Sequence, residues 1–129
     1  MGTDVATILV FDEEQDSRTL IQRVLERGGH EVLACERVPR AEELASTRDP
    51  DLAVVHVGEN WGGPGGIVSL LRAANRRLRV IIVADYDGRR GEECAANEIL
   101  VPKPLDLETL ESTVRSILLG TSEKRRSDF

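Results

Sequence analysis

Four side chains in this sequence have the types and placement to do chemistry together: the carboxylates of Asp12 and Glu13, the imidazole of His56 and the ammonium of Lys103. Asp12-Glu13-Glu14 follows directly on the apolar run Ala6-Thr7-Ile8-Leu9-Val10-Phe11. His56 interrupts the run Leu52-Ala53-Val54-Val55-His56-Val57-Gly58 near its carboxyl end, and Lys103 follows Glu98-Ile99-Leu100-Val101 inside Pro102-Lys103-Pro104. Runs of this kind read as strands buried on both faces of a parallel sheet. Open α/β sheets carry their chemistry just beyond the carboxyl ends of such strands. If the four groups meet there, two carboxylates face one ammonium and an imidazole. Protonation of that imidazole leaves the pocket neutral with no metal. The expectation is that His56 donates a charge-assisted hydrogen bond to Asp12 or Glu13 and locks the site. Two other readings stand beside it. His56 is a satisfied strand-end histidine without a task, or it joins the two carboxylates in ligating a transition metal such as Zn²⁺, although loop carboxylates beside a strand rarely form a closed ligand set.

The elements that must position these groups follow from the apolar pattern. Leu20, Ile21, Val24 and Leu25 recur at helical spacing, and Gly28-Gly29 closes that helix. His30 leads into a second strand, Glu31 to Cys35, polar enough to lie at an edge. Pro39 opens a helix carrying Ala41, Leu44 and Ala45, which Asp49-Pro50-Asp51 ends. The stretch Gly58 to Gly66 is too rich in glycine for regular structure. A helix with Ile67, Leu70, Leu71 and Ala74 inward follows, then a strand from Arg79 to Ala84, a turn from Asp85 to Gly88, and a short, weakly patterned helix from Arg89 to Ala96. The strand Glu98 to Val101 precedes a last helix capped by Asp106, with the stripe Leu107, Leu110, Val114, Ile117 and Leu118, ended by Gly120. Residues 1–120 read as one domain and the polar stretch 121–129 as a disordered tail. Five strands alternating with five helices predict a flavodoxin-like three-layer α/β sandwich. The parallel sheet is assigned the order 2-1-3-4-5, which sets the carboxyl ends of the first and third strands side by side.

Composition removes several function classes. The chain has 129 residues, enough for one domain with a full core. Its formal net charge of -6 argues against a nucleic-acid surface, which needs a basic face. Cys35 and Cys94 have no metal spacing and form no disulfide framework, so reduced thiols in a cytoplasmic protein are expected. The segment Met1 to Thr7 has no signal-peptide pattern, and no stretch is long enough to cross a membrane. No Walker loop or nucleophile–base pair stands out. A flavin site would need a Ser/Thr-rich phosphate loop after the first strand, where Asp12-Glu13-Glu14 would repel phosphate instead.

From Thr7 to about Gly120 the chain resembles the receiver domain of two-component response regulators. The resemblance rests on Ile8-Leu9-Val10-Phe11-Asp12-Glu13, Asp51-Leu52-Ala53-Val54-Val55, Val80-Ile81-Ile82-Val83 and Lys103-Pro104-Leu105, in that order and with helices between. It implies a CheY-like fold, an acidic pair that binds Mg²⁺, an aspartate at the end of the third strand phosphorylated by a histidine kinase, a Ser or Thr ending the fourth strand, an aromatic residue in the fifth, and a lysine that contacts the phosphoryl group. In this sequence the acceptor position is His56, the hydroxyl position Ala84 and the aromatic position Leu100. Asp12, Glu13 and Lys103 match. Three losses that strike acceptor, hydroxyl and ring suggest that the phosphorylation cycle went as a unit, so the chain is similar to a pseudo-receiver. With the Gly58 backbone, Asp12 and Glu13 form an acidic pocket where Mg²⁺ is a doubtful ligand, and no cofactor is expected.

Two functions compete. A non-enzymatic interaction module would bind a histidine kinase or another signalling protein through a surface such as the last helix, and could form a homodimer. A phosphorylated regulator would use a neighbouring Asp or Glu as acceptor; phosphorylation of His56 itself lacks the carboxylate and hydroxyl that this chemistry uses in the family. Trp61, in the glycine-rich loop, is either packing or a partner anchor. Arg76, Arg77 and Arg79 read as a solvated basic edge, Asp85 as a further carboxylate near the cleft, and Lys103-Pro104 as a turn proline fixes.

Overall fold

A computed structural model describes residues 5–58, 66–84 and 97–127, with side chains to residue 119 in the last stretch. The strands are β1 (Thr7–Asp12), β2 (Glu31–Cys35), β3 (Leu52–His56), β4 (Arg79–Ala84) and β5 (Glu98–Pro102). The helices are α1 (Gln15–Arg27), α2 (Val38–Thr47), α3 (Ile67–Ala74) and α4 (Leu107–Ser127). All strand pairs are parallel and the sheet order is β2-β1-β3-β4-β5, as the apolar runs imply. The polar β2 takes an edge. The weakly patterned helix from Arg89 to Ala96, with Asp85, lies outside the described residues, and so does Trp61.

Strand alternation builds two cores. Leu9, Phe11, Ala53, Val55, Val80, Ile82 and Ala84 face α2 and α3, where they meet Ala41, Leu44, Ala45, Ile67, Val68 and Leu71. Ile8, Val10, Leu52, Val54, Ile81 and Val83 face α1 and α4, where they meet Ile21, Leu25, Leu110 and Val114. Helices on both faces explain why the strands are continuous apolar runs. Asp106 caps α4: its carboxylate accepts from the Glu108 N–H at 3.1 Å and the Thr109 hydroxyl at 2.9 Å. Gly29 adopts φ +91, a left-handed conformation that favours glycine and turns the chain out of α1 into β2.

Two expectations are corrected. Leu20 does not lie on the buried stripe of α1; it is 48% exposed, because Ile21 and Leu25 define the inward direction and Leu20 falls on its flank. Gly120 does not end the last helix, which continues to Ser127. One interior glycine costs a helix only about 1 kcal/mol, no proline follows, and Glu123-Lys124-Arg125-Arg126 are good helix formers. The helix backbone therefore includes residues 121–127.

Candidate functional site

Register and alternation bring the site together. Asp12 is the last residue of β1 and pairs across the sheet with His56, the last residue of β3. Each stands an even number of residues beyond a strand residue of the α1/α4 core, so both side chains leave the sheet on that face, over the start of α1. His56 Nδ1 lies 3.0 Å from Asp12 Oδ2. The carboxyl group, buried at 1% exposure, is further engaged by α1: the Glu14 N–H donates to Oδ1 at 2.9 Å and the Ser17 hydroxyl donates to Oδ2. Arg18 donates to the Asp12 backbone carbonyl at 2.9 Å and approaches Glu36 at 3.8 Å, tying the β1 end to the loop after β2.

Burial alone would push the Asp12 carboxyl up. The hydrogen bonds from His56, Ser17 and the Glu14 N–H, with the charge of His56, outweigh it and hold the group below the usual carboxylate range. Asp12 is thus an anion at neutral pH and has no proton to give, so His56 Nδ1 is the donor. In its neutral form the imidazole would carry its hydrogen on Nδ1 and its lone pair on Nε2.

The other sequence-level candidates are placed around this pair without joining it. Glu13 continues beyond β1, is exposed, and makes no hydrogen bond or ion pair among the described residues. Gly58 is exposed, with nothing within 4 Å of an added Cβ. Lys103 follows β5, separated from β3 by β4; its backbone N–H donates to the Ala84 carbonyl at 3.0 Å, and the Lys103–Pro104 peptide is cis. Among the described residues no hydrogen bond or ion pair joins its ammonium to Asp12 or His56. Ala84 is fully buried in the α2/α3 core, and Leu100 packs against the same core, so both residues contribute hydrocarbon only. Ser17 and Arg18 were not singled out from the sequence. Their only signal is their place in the first turns of the helix that follows the acidic pair.

A divalent cation does not fit this arrangement as it stands. Mg²⁺ demands near-ideal octahedral oxygen ligation. Both Asp12 oxygens already accept protein hydrogen bonds, and an imidazole occupies the facing position. Among the described residues no three His, Cys, Asp or Glu side chains gather to hold a metal ion, and no helix is long and apolar enough to cross a membrane.

A β2-β1-β3-β4-β5 parallel sheet with an acidic residue and a histidine at the adjoining ends of β1 and β3 is a flavodoxin-like arrangement of the kind receiver domains share. No protein-family model matches the chain. The chain is 30% identical over 122 residues to protein PilH of Pseudomonas aeruginosa, covering 90% of this chain and all of that protein. The solved receiver domain of the hybrid histidine kinase CckA is 27% identical, with a TM-score of 0.63 over 87% of this chain and 98% of its own. NtrX from Brucella abortus (21% identical, TM-score 0.76, 96% of this chain) and a response regulator receiver protein from Sinorhizobium medicae (21%, 0.71, 90%) share the fold. The chain spans 28% of NtrX and 95% of the Sinorhizobium protein. This chain belongs to the response regulator receiver family of two-component signalling.

Proposed function

We propose that this chain is an atypical receiver that takes no phosphoryl group at the usual position and acts as a non-enzymatic protein-interaction module. The observation that carries the reading is the His56–Asp12 hydrogen bond at 3.0 Å. It puts an imidazole where the family has its acceptor, and uses the carboxylate oxygen that a metal would need. Ala84 and Leu100 add the loss of the switching hydroxyl and ring. The partner is a histidine kinase or another protein of the same signalling system, met in the cytoplasm through an exposed helix face; a second copy of the chain is a further candidate, and nucleic acid is not.

A second reading has one observation in its favour. Glu13 is exposed and uncommitted among the described residues, so a carboxylate remains beside the site as a non-standard acceptor. Intact mass after incubation with acetyl phosphate and Mg²⁺ separates the two. No gain of a phosphoryl group supports the interaction module. A gain that Glu13→Gln abolishes establishes the second reading instead.

A further inference from the structure

At the opposite end of the sheet from Asp12 and His56, a cavity of about 270 Å³ opens between the C-terminal end of α1 and the middle of α4. Arg27, Gly28, His30, Glu111, Arg115 and Leu118 line it. Three features of this lining point the same way. The first is the fixed direction of His30. The Ala6 N–H donates to His30 Nδ1 at 3.0 Å, so the neutral ring carries its hydrogen on Nε2, and that donor has no partner among the described residues. The second is Gly28. Its φ of -75 suits any residue, so the backbone does not call for glycine there. A Cβ at this position would stand 3.3 Å from His30 Cδ2 and 3.4 Å from Nε2, and also 3.3 Å from the Leu25 carbonyl oxygen. Glycine therefore spares the Leu25 carbonyl and also leaves the donor edge of the ring uncovered. The third is the charge balance. Arg115 pairs with Glu111 at 3.3 Å, whereas Arg27 has no ion pair among the described residues. Two guanidiniums and an imidazole N–H are set against one carboxylate.

We propose that this pocket binds a small molecule bearing a carboxylate or phosphate, with the oxyanion held by Arg27, Arg115 and His30 Nε2–H and a short apolar portion against the half-buried Leu118. Guanidinium forks match the geometry of both oxyanions. The cavity lies slightly below the usual range of small-molecule pockets, about 300 to 1,000 Å³, which limits the ligand to a compact metabolite. Arg27 in the last turn of α1 also complements the helix dipole, but that role neither leaves the His30 edge bare nor brings Arg115 to the same cavity. The proposal is independent of the phosphorylation state of the opposite end.

The test is a titration of ¹⁵N-labelled protein with inorganic phosphate and, separately, succinate, at constant ionic strength. Saturable shifts centred on Arg27, Gly28 and Arg115 are expected with at least one probe, and the probe that saturates tells a phosphate-bearing ligand from a carboxylate. Arg27→Gln and Arg115→Gln, both at exposed positions, should each weaken binding by about tenfold, and Gly28→Ala should weaken it by covering His30. Arg40→Gln, on the opposite helix layer, should bind as the native protein does. Absence of saturable shifts with both probes, or equal weakening by Arg40→Gln, overturns the proposal.

Discussion

Replacing His56 with alanine removes the donor that faces Asp12 and leaves the buried carboxylate with Ser17 and the Glu14 N–H alone. A hydrogen bond to a charged group contributes about 1.5 to 3 kcal/mol to stability, and losing the half-buried ring adds to the deficit. With a urea m-value of about 2 kcal/mol/M, the unfolding midpoint should fall by about 1 M. The deficit mixes bond and packing, so the bond is isolated by a cycle with Asp12→Asn and the double variant, with an expected coupling of about 1 to 3 kcal/mol at neutral pH. The coupling should depend on pH in a defined direction. Because the folded Asp12 carboxyl titrates below its ordinary value, the unfolded chain binds more protons across the acid range. The stabilisation is fully present above the ordinary carboxylate value, about 4, and fades as pH falls through the depressed folded one. Urea unfolding followed by circular dichroism at neutral pH and at about pH 3 measures both. A coupling below about 0.5 kcal/mol, or one of the same size at both pH values, would refute the reasoning.

Other substitutions follow from the same contacts. Ser17→Ala removes one of the bonds that hold Asp12 down, so the Asp12 carboxyl should titrate higher by NMR and stability should fall by about 1 to 2 kcal/mol. His56→Asp sets a carboxylate against Asp12, so the variant should be less stable than the native protein without metal and should gain more from added Mg²⁺, read as a larger Tm increase. The Cys35 thiol is buried and its pKa is pushed up to about 11 by desolvation, so iodoacetamide should label it in urea and not in the native protein. Leu110, fully buried beneath α4, should cost about 2 to 5 kcal/mol on replacement by alanine, measured by urea unfolding.

The strand order and the meeting of His56 with Asp12 were legible because both depend on coarse periodicities. Period-two alternation and the topology of a parallel sheet suffice to put the ends of β1 and β3 together. Glu13 shows where that logic needs finishing: adjacent carboxylates alternate in direction, so only one of the pair can reach His56. Ser17 was illegible because a serine in the first turn of a helix usually faces water, and only the approach of α1 to β1 turns this one onto Asp12. Gly120 misled because glycine after an apolar stripe resembles a helix stop, while the residues that follow it favour the helix. Lys103 carries the family's residue type, and its place after β5, beyond β4 from β3, follows from the strand order; the direction of its side chain is a tertiary fact that no local pattern encodes.

The central claim is that the receiver pocket is closed to phosphoryl transfer by the imidazole at its acceptor position. The most direct measurement is intact mass spectrometry of the native protein and His56→Asp, side by side, after incubation with acetyl phosphate and Mg²⁺. The expected result is no added phosphoryl group on the native protein, whether or not the aspartate variant gains one. A phosphoryl group gained by the native protein would contradict the claim.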